Sequence, residues 1–189
     1  MRPFYKIVEI VVIVLFIAVV FVSTPSALET NATPLQSLFM IKQLIPQAQT
    51  VGVMWNQNKT NASELLPKIE RASASTGVKV IVEDVEELSD VSQKFRELKD
   101  KYQVQAIWII EDNDPMSSTV GKDFLVKNSI VNGIALFAPN TDWVSSGACA
   151  ALLSDGSTVK LYVNKKTINA LGIRVPDKYL QDTQFIATN

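Results

Sequence analysis

The sequence predicts an α/β domain built on a single doubly wound, mainly parallel five-stranded sheet, preceded by an N-terminal hydrophobic helix. Three observations carry this. Short apolar runs alternate with amphipathic helical patterns from Leu35 onward, which is the signature of crossover connections in a parallel sheet. One run, AIWII at 106–110, contains no polar residue and reads as a central strand covered on both faces. A separate apolar stretch, Ile7 to Val22, is interrupted only by Glu9.

That stretch follows Arg2 and Lys6, so its N-terminal side is expected inside the cell. It exceeds an ordinary signal-peptide core and falls a little short of the roughly 20 residues of a full span. Pro25 stands where a small residue is wanted for cleavage after Ala27, whereas cleavage after Ser26 is open. Residues 1–28 are therefore read as a signal peptide or a membrane anchor, and either fate exports the remainder. No cysteine near the end of the run offers a lipoprotein anchor. The polar, small and Pro-containing residues that follow, ending at 29–34, read as a linker. Residues 35–189 are expected to form the folded domain.

Within the domain, Leu35, Leu38, Phe39, Ile41, Leu44 and Ile45 keep helical spacing until Pro46 stops it. TVGVMW (50–55) is a buried strand. A helix over 62–76 ends at Gly77, and Pro67 fits it only if the helix starts near Ser63. VKVIVEDV (78–85) is the second strand. Ser89 is the expected N-cap of the next helix, with Val91, Phe95 and Leu98 on one face. AIWII is the third strand, followed by a helix ending near Gly133. IALFAP (134–139) is the fourth strand and KLYVN (160–164) the fifth. A last helix over KKTINALG stops at Gly172.

Composition narrows the chemistry. The chain is 47% hydrophobic and 20% charged with a net charge of −1, so no basic excess exists to track nucleic acid, and none is expected as a partner. It has no histidine, which removes His-based acid/base catalysis and the commonest transition-metal ligand. The single cysteine, Cys149, sits in GACAAL and reads as a packed thiol rather than a nucleophile. No catalytic constellation is legible, so the protein is not expected to be an enzyme, and no cofactor or metal is expected.

In a doubly wound sheet, right-handed crossovers put the carboxyl ends of the strands on one edge, where ligands bind. The loops on that edge are WNQNKTNAS, EDNDPMSS and APNTDWVSS. The first lacks the glycines of a dinucleotide or phosphate loop. The second offers carboxylates that suit an ammonium, a hydroxyl or a hard cation, but without the spacing of an EF-hand. A phosphorylated receiver site does not fit, because the first strand ends in Trp55-Asn56 with no acidic pair. Trp143 in the third loop suits either a ligand cover or a lid on the core.

In their order and spacing, these landmarks resemble the C-terminal lobe of the ABC-transporter substrate-binding proteins with the type I periplasmic-binding fold. TPLQSLFMIKQLIPQAQTVGVMWN resembles the family's crossover, helix and first strand of that lobe. NQNKTNA stands where the family has Asn-Pro-Ser-Glu-Ala-Asn-Ser, with Ala62 in place of the serine. AIWIIEDND stands at its strand ending in Asp-Asn. GIALFAPNTDWVSSGACAAL matches its Asp-containing loop and Gly-Ala-x-Ala-Leu segment, and LYVNKKTINALGIRVPDKYL its closing signature. The resemblance covers Thr33 to Leu180.

It implies a non-enzymatic solute-binding domain for a small amino-acid-like ligand. Asn56, Asn61, Asp112, Asn113, Asn140 and Asp142 would be hydrogen-bond partners for ligand amine and carboxylate groups. It also implies a missing lobe. Only the leader and linker stand before the crossover helix, and the family's second excursion shrinks to LSDGSTV, Leu153 to Val159. A single lobe leaves an open half-site. Its other wall would come from an envelope transport protein or from a second copy of the chain, in a homodimer. The alternative is an envelope interaction module in which the old half-site is vestigial.

Overall fold

The computed structural model describes residues 30–154 and 158–187. The leader and its expected helix lie outside these residues. Among the described residues, no helix is long and apolar enough to cross a membrane.

An α/β sheet forms the centre. Its strands are β1 (Thr30–Asn31), β2 (Thr50–Trp55), β3 (Lys79–Asp84), β4 (Ala106–Ile109), β5 (Ala135–Ala138), β6 (Ala150–Ser154), β7 (Val159–Asn164) and β8 (Thr183–Ile186). The order across the sheet is β3-β2-β4-β5-β6-β7-β8, with β1 beside β6. All five expected strands form. Two features differ from the expectation: the described sheet has eight strands, and KLYVN runs antiparallel to the other four expected strands. The fifth parallel strand is β6, which pairs with β5 through Phe137↔Ala150 and Ala138↔Ala151. β7 then returns antiparallel, with Ser154 opposite Val159. The physical reason is loop length: a parallel crossover needs about a dozen residues or more, and a hairpin needs only a few.

The helices are α1 (Pro34–Leu44), α2 (Ala62–Thr76), α3 (Leu88–Arg96), α4 (Thr119–Val131), α5 (Thr141–Ser145) and α6 (Lys165–Ala170). Thr33 caps α1 in a reciprocal box with Gln36. The cap of α3 is Glu87, paired with Asp90, rather than Ser89. Asp90 Oδ2 accepts from the backbone N–H groups of Glu86 (3.2 Å) and Glu87 (2.9 Å), and its charge meets the positive end of the helix. A π-turn over Glu97–Lys101 extends α3. Pro67 lies in the second turn of α2, and the carbonyl it leaves unpaired is that of Ser63, an exposed residue.

Alternation along the strands builds two apolar layers. Val51, Val53, Trp55, Trp108 and Phe137 pack with Leu38, Ile41 and Leu44 of α1 and Ile69 and Ala72 of α2. Met54, Ile107, Ile109 and Leu136 pack with Val91 and Phe95 of α3, Leu125 of α4, and Leu98 of the π-turn. Gly52 is required here, since an added Cβ would lie 2.7 Å from the Leu98 methyl groups.

Beyond the end of β5, the short strand β1 takes over as the neighbour of β6, through Thr30↔Ser154 and Asn31↔Leu153. It comes from the stretch read as linker. The Asn31 side chain ties it across to the sheet by donating to the Ile110 carbonyl at 2.9 Å. β1 therefore stands on the carboxyl edge of the sheet and brings the start of α1 with it.

Candidate functional site

The topology places all six residues singled out from the sequence at the carboxyl ends of parallel strands. Asn56 and Asn61 follow β2, Asp112 and Asn113 follow β4, and Asn140 and Asp142 follow β5. Their side chains do different things.

Asp112, Asn140 and Asp142 come together around Trp143. The Trp143 indole N–H donates to Asp112 Oδ1 at 2.7 Å. Asn140 Nδ2 donates to Asp112 Oδ2 at 2.8 Å. Asn140 Oδ1 in turn caps α5, accepting from the backbone N–H groups of Asp142 (3.1 Å) and Trp143 (3.3 Å). Lys122 of α4 pairs with Asp142, and its ammonium stands 5.2 Å from the Trp143 ring centroid. Trp143 is fully buried, so of its two sequence readings the structure selects the lid on the core. Both Asp112 oxygens are engaged within the protein.

Asn56 is buried and staples two loops. Its Nδ2 donates to the Asp114 carbonyl (2.9 Å), while its Oδ1 accepts from the Asn58 N–H (3.0 Å). Asn61 is exposed and bonds locally with Glu64 (3.1 Å) and Ser63 (2.9 Å). Asn113 donates to Glu111 Oε2 at 3.1 Å, and its own buried Oδ1 has no protein partner.

A cleft of about 310 Å³ opens beside this network, on the α1–α2 side of the same edge. Its floor and apolar walls are Trp108, Ile110, Ala138, Pro139 and Leu65, and its rim carries Asn31, Ser37, Lys68 and Glu111. Glu111 is held from behind: Thr60 Oγ1 donates to Oε2 at 2.8 Å, alongside the Asn113 amide. Thr60 is itself buried and fixed by its N–H on the Asn56 carbonyl at 2.9 Å. Lys68 is paired with Glu64 one turn earlier, and that hydrogen bond and charge hold the Glu64 carboxyl below its usual range.

None of the six expected residues lines this cleft directly. Sequence reasoning named none of Glu111, Thr60, Lys68 and Asn31 among its six residues, although Glu111 and Thr60 lie in loops it placed on this edge. The available signal was Glu111 itself, the first polar residue after an unbroken apolar strand. Asn31 had no such signal, because its place depends on β1 pairing with a strand more than a hundred residues later.

Elsewhere, Cys149 is fully buried, and desolvation pushes its thiol up to about 12, so it is a packed thiol as expected. Among the described residues, no group of three or more acidic or cysteine side chains is placed to hold a metal ion.

Comparison with known proteins agrees with this fold. A family model described as ABC transporter substrate binding protein matches residues 28–159. Solved structures that share the fold include three matched over most of this chain. One is an ABC domain in complex with L-Trp from Streptococcus pneumonia, at TM-score 0.70 and 20% identity, covering 82% of this chain and 62% of its own. The second is a conserved domain protein from Vibrio cholerae, at TM-score 0.67 and 19% identity, covering 82% and 61%. The third is a ligand-free, open substrate-binding protein with adhesive properties from Clostridium difficile, at TM-score 0.68 and 20% identity, covering 85% and 61%. The chain thus spans about six-tenths of the length of the structures it matches. No curated protein matches significantly. The chain belongs to the ABC transporter substrate-binding protein family.

Proposed function

We propose that this member of the ABC transporter substrate-binding family is an exported, non-enzymatic solute-binding domain that takes a small amino-acid-like ligand at the carboxyl edge of its sheet. The observation that supports this most directly is the cleft between β4, β5, α1 and α2. It has an apolar floor, a few convergent polar groups and the position at which open α/β sheets bind ligands. The relative solved with L-Trp supports the ligand class. The absence of histidine from the chain and the buried, strongly desolvated Cys149 support a binding rather than a catalytic role.

In this reading the described domain is one lobe, and its half-site is open to water. Asn56, Asn61, Asp112, Asn113, Asn140 and Asp142 form and brace the ligand-facing edge. A second wall comes from a transport protein of the envelope or from a second copy of the chain. Export follows from the leader, which either is cleaved or stays in the membrane as an anchor.

One observation favours a second reading, an interaction module. Leu35 and Phe39, one turn apart on α1, are 49% and 46% exposed. Phe39 lines a groove of about 210 Å³ with Met40, Leu152, Val159, Leu161 and Tyr179, and Leu35 borders a separate depression beside Lys68 and Arg71.

Thermal melting of the full chain in a mild detergent, against each of the common amino acids at millimolar concentration, separates the readings. A ligand at about 100 times its Kd stabilises the folded state by about 2.7 kcal/mol, which moves the midpoint by several degrees. A flat response to every compound sinks the solute reading and leaves the Leu35–Phe39 face as the functional surface.

A further inference from the structure

We infer that Glu111 makes the cleft selective for an organic ammonium group carried on an apolar body. The inference rests on the ligand-binding reading of this cleft and names the charge that the ligand must bring. Three observations carry it.

First, the Glu111 carboxylate is positioned before any ligand arrives. Both protein donors, Thr60 Oγ1 at 2.8 Å and Asn113 Nδ2 at 3.1 Å, reach the same oxygen, Oε2. Two donors on one oxygen fix the carboxylate plane, and Thr60 is held in turn by the Asn56 loop. Oε1 has no protein hydrogen bond among the described residues.

Second, among the described residues no lysine or arginine forms an ion pair with Glu111. The ion pairs among the described residues are Lys68–Glu64, Lys94 with Glu83 and Glu97, Lys99–Asp100 and Lys122–Asp142. Lys68 shares the cleft, but its ammonium is committed to Glu64. A part-buried carboxylate with one open oxygen is worth most to a cationic donor, because charge-assisted hydrogen bonds are roughly twice as strong as neutral ones. An anionic ligand would instead meet like charge at short range as the cleft loses water.

Third, the floor and walls of the cleft are apolar, with its polar groups confined to the rim. Trp108 and Ile110 are each 6% exposed, and Leu65, Ala138 and Pro139 complete the surface. The ligand body that fits is hydrocarbon or aromatic. A carboxylate on the same ligand is tolerated where it points into water, so amines and zwitterions are both admitted and simple acids are not.

Three indole probes test this on the full chain. Tryptamine carries the amine alone, L-tryptophan carries amine and carboxylate, and indole-3-propionate carries the carboxylate alone. Binding is read by thermal melting and calorimetry on the wild type and on Glu111→Gln, which keeps the side-chain shape and an acceptor for Thr60. The expected result is that tryptamine and L-tryptophan bind and indole-3-propionate does not, with amine affinity falling about tenfold or more in Glu111→Gln, the loss of one charge-assisted contact.

Equal binding of all three probes, or unchanged amine affinity in Glu111→Gln, overturns the charge selection and leaves the cleft as a solute site. Failure of all three to bind at millimolar concentration overturns the inference, and the solute reading falls with it only if the amino-acid panel is also flat. Should Glu111→Gln not fold, the wild-type contrast between tryptamine and indole-3-propionate decides alone.

Discussion

Glu111 and Asp112 are neighbours, both carboxylates, at the end of the same strand, and they meet opposite fates. Asp112 turns toward α5, where Trp143 and Asn140 each fill one of its oxygens. Glu111 turns toward α1 and α2, where two donors share one oxygen and the other is left open beside an apolar cleft. The difference comes from geometry, not composition. Strict alternation would put Asp112 on the side of Trp108 and Ile110. β4 ends at Ile109, however, and the chain bends at Glu111, which exchanges the two sides. One carboxylate becomes part of the fold and its neighbour stays available to a ligand.

The largest effect expected from breaking this contrast is on stability. Asp112→Ala leaves the indole N–H of a fully buried tryptophan without an acceptor and removes the partner of the residue that caps α5. A hydrogen bond to a charged group contributes about 1.5–3 kcal/mol, so a loss of roughly 2 kcal/mol is expected. Glu111→Ala should cost about half as much, because Thr60 and Asn113 lose an acceptor nearer to water. Urea melts of both variants check the ranking. A Glu111 variant less stable than the Asp112 variant would mean that the roles of the two carboxylates are reversed.

A smaller effect sharpens the Glu111 half. Thr60→Val keeps the shape and removes one of the two donors that orient the carboxylate. Stability should fall by about 1 kcal/mol. Tryptamine affinity should fall about threefold to tenfold, since a loosened carboxylate must be ordered again on binding. Thr60→Ser restores the hydroxyl and should recover most of the affinity. A Thr60→Val protein that binds tryptamine as well as the wild type would show that the hydroxyl contributes nothing to positioning.

The same pair of residues shows how far the sequence could be read. Apolar runs such as TVGVMW and AIWII identified the central strands, because a strand covered on both faces has no polar positions to obscure it. β6 was harder. AALLS carries small residues with little strand propensity, and its place follows only from pairing with β5 and β7. β1 and β8 are short strands of mixed composition, and nothing in TN or TQFI announces them. At the site, the loops were identified by their Asn and Asp content, and the edge they occupy by the crossover rule. Which carboxylate faces which layer was not legible, because it depends on a single bend after Ile109. The resemblance to a family pointed to the Asp-Asn pair after β4, but sequence order alone does not show that Trp143 already occupies Asp112.

The smallest effect concerns the cation on the Asp112 side. The Lys122 side chain is 14% exposed and its partner Asp142 is 73% exposed, so the pair is asymmetric: one member lies against Trp143 and the other in water. Screening keeps exposed pairs near 0–1 kcal/mol, and a cation over an indole adds about 0.5–1 kcal/mol at such a site. Lys122→Met retains the apolar stem over the ring and removes the charge, so a loss of about 0.5–1 kcal/mol is expected, whereas Asp142→Asn should cost less than about 0.5 kcal/mol. If the ring contact dominates, the Lys122→Met loss persists in high salt. If the ion pair dominates, the loss shrinks as salt rises and the two single variants become equal, since each removes the same interaction. The asymmetric burial favours the first outcome. It would mean that the Asp112 side is closed by packing and hydrogen bonds, with its surface charge a minor contributor, while the Glu111 side depends on a charge it has yet to receive.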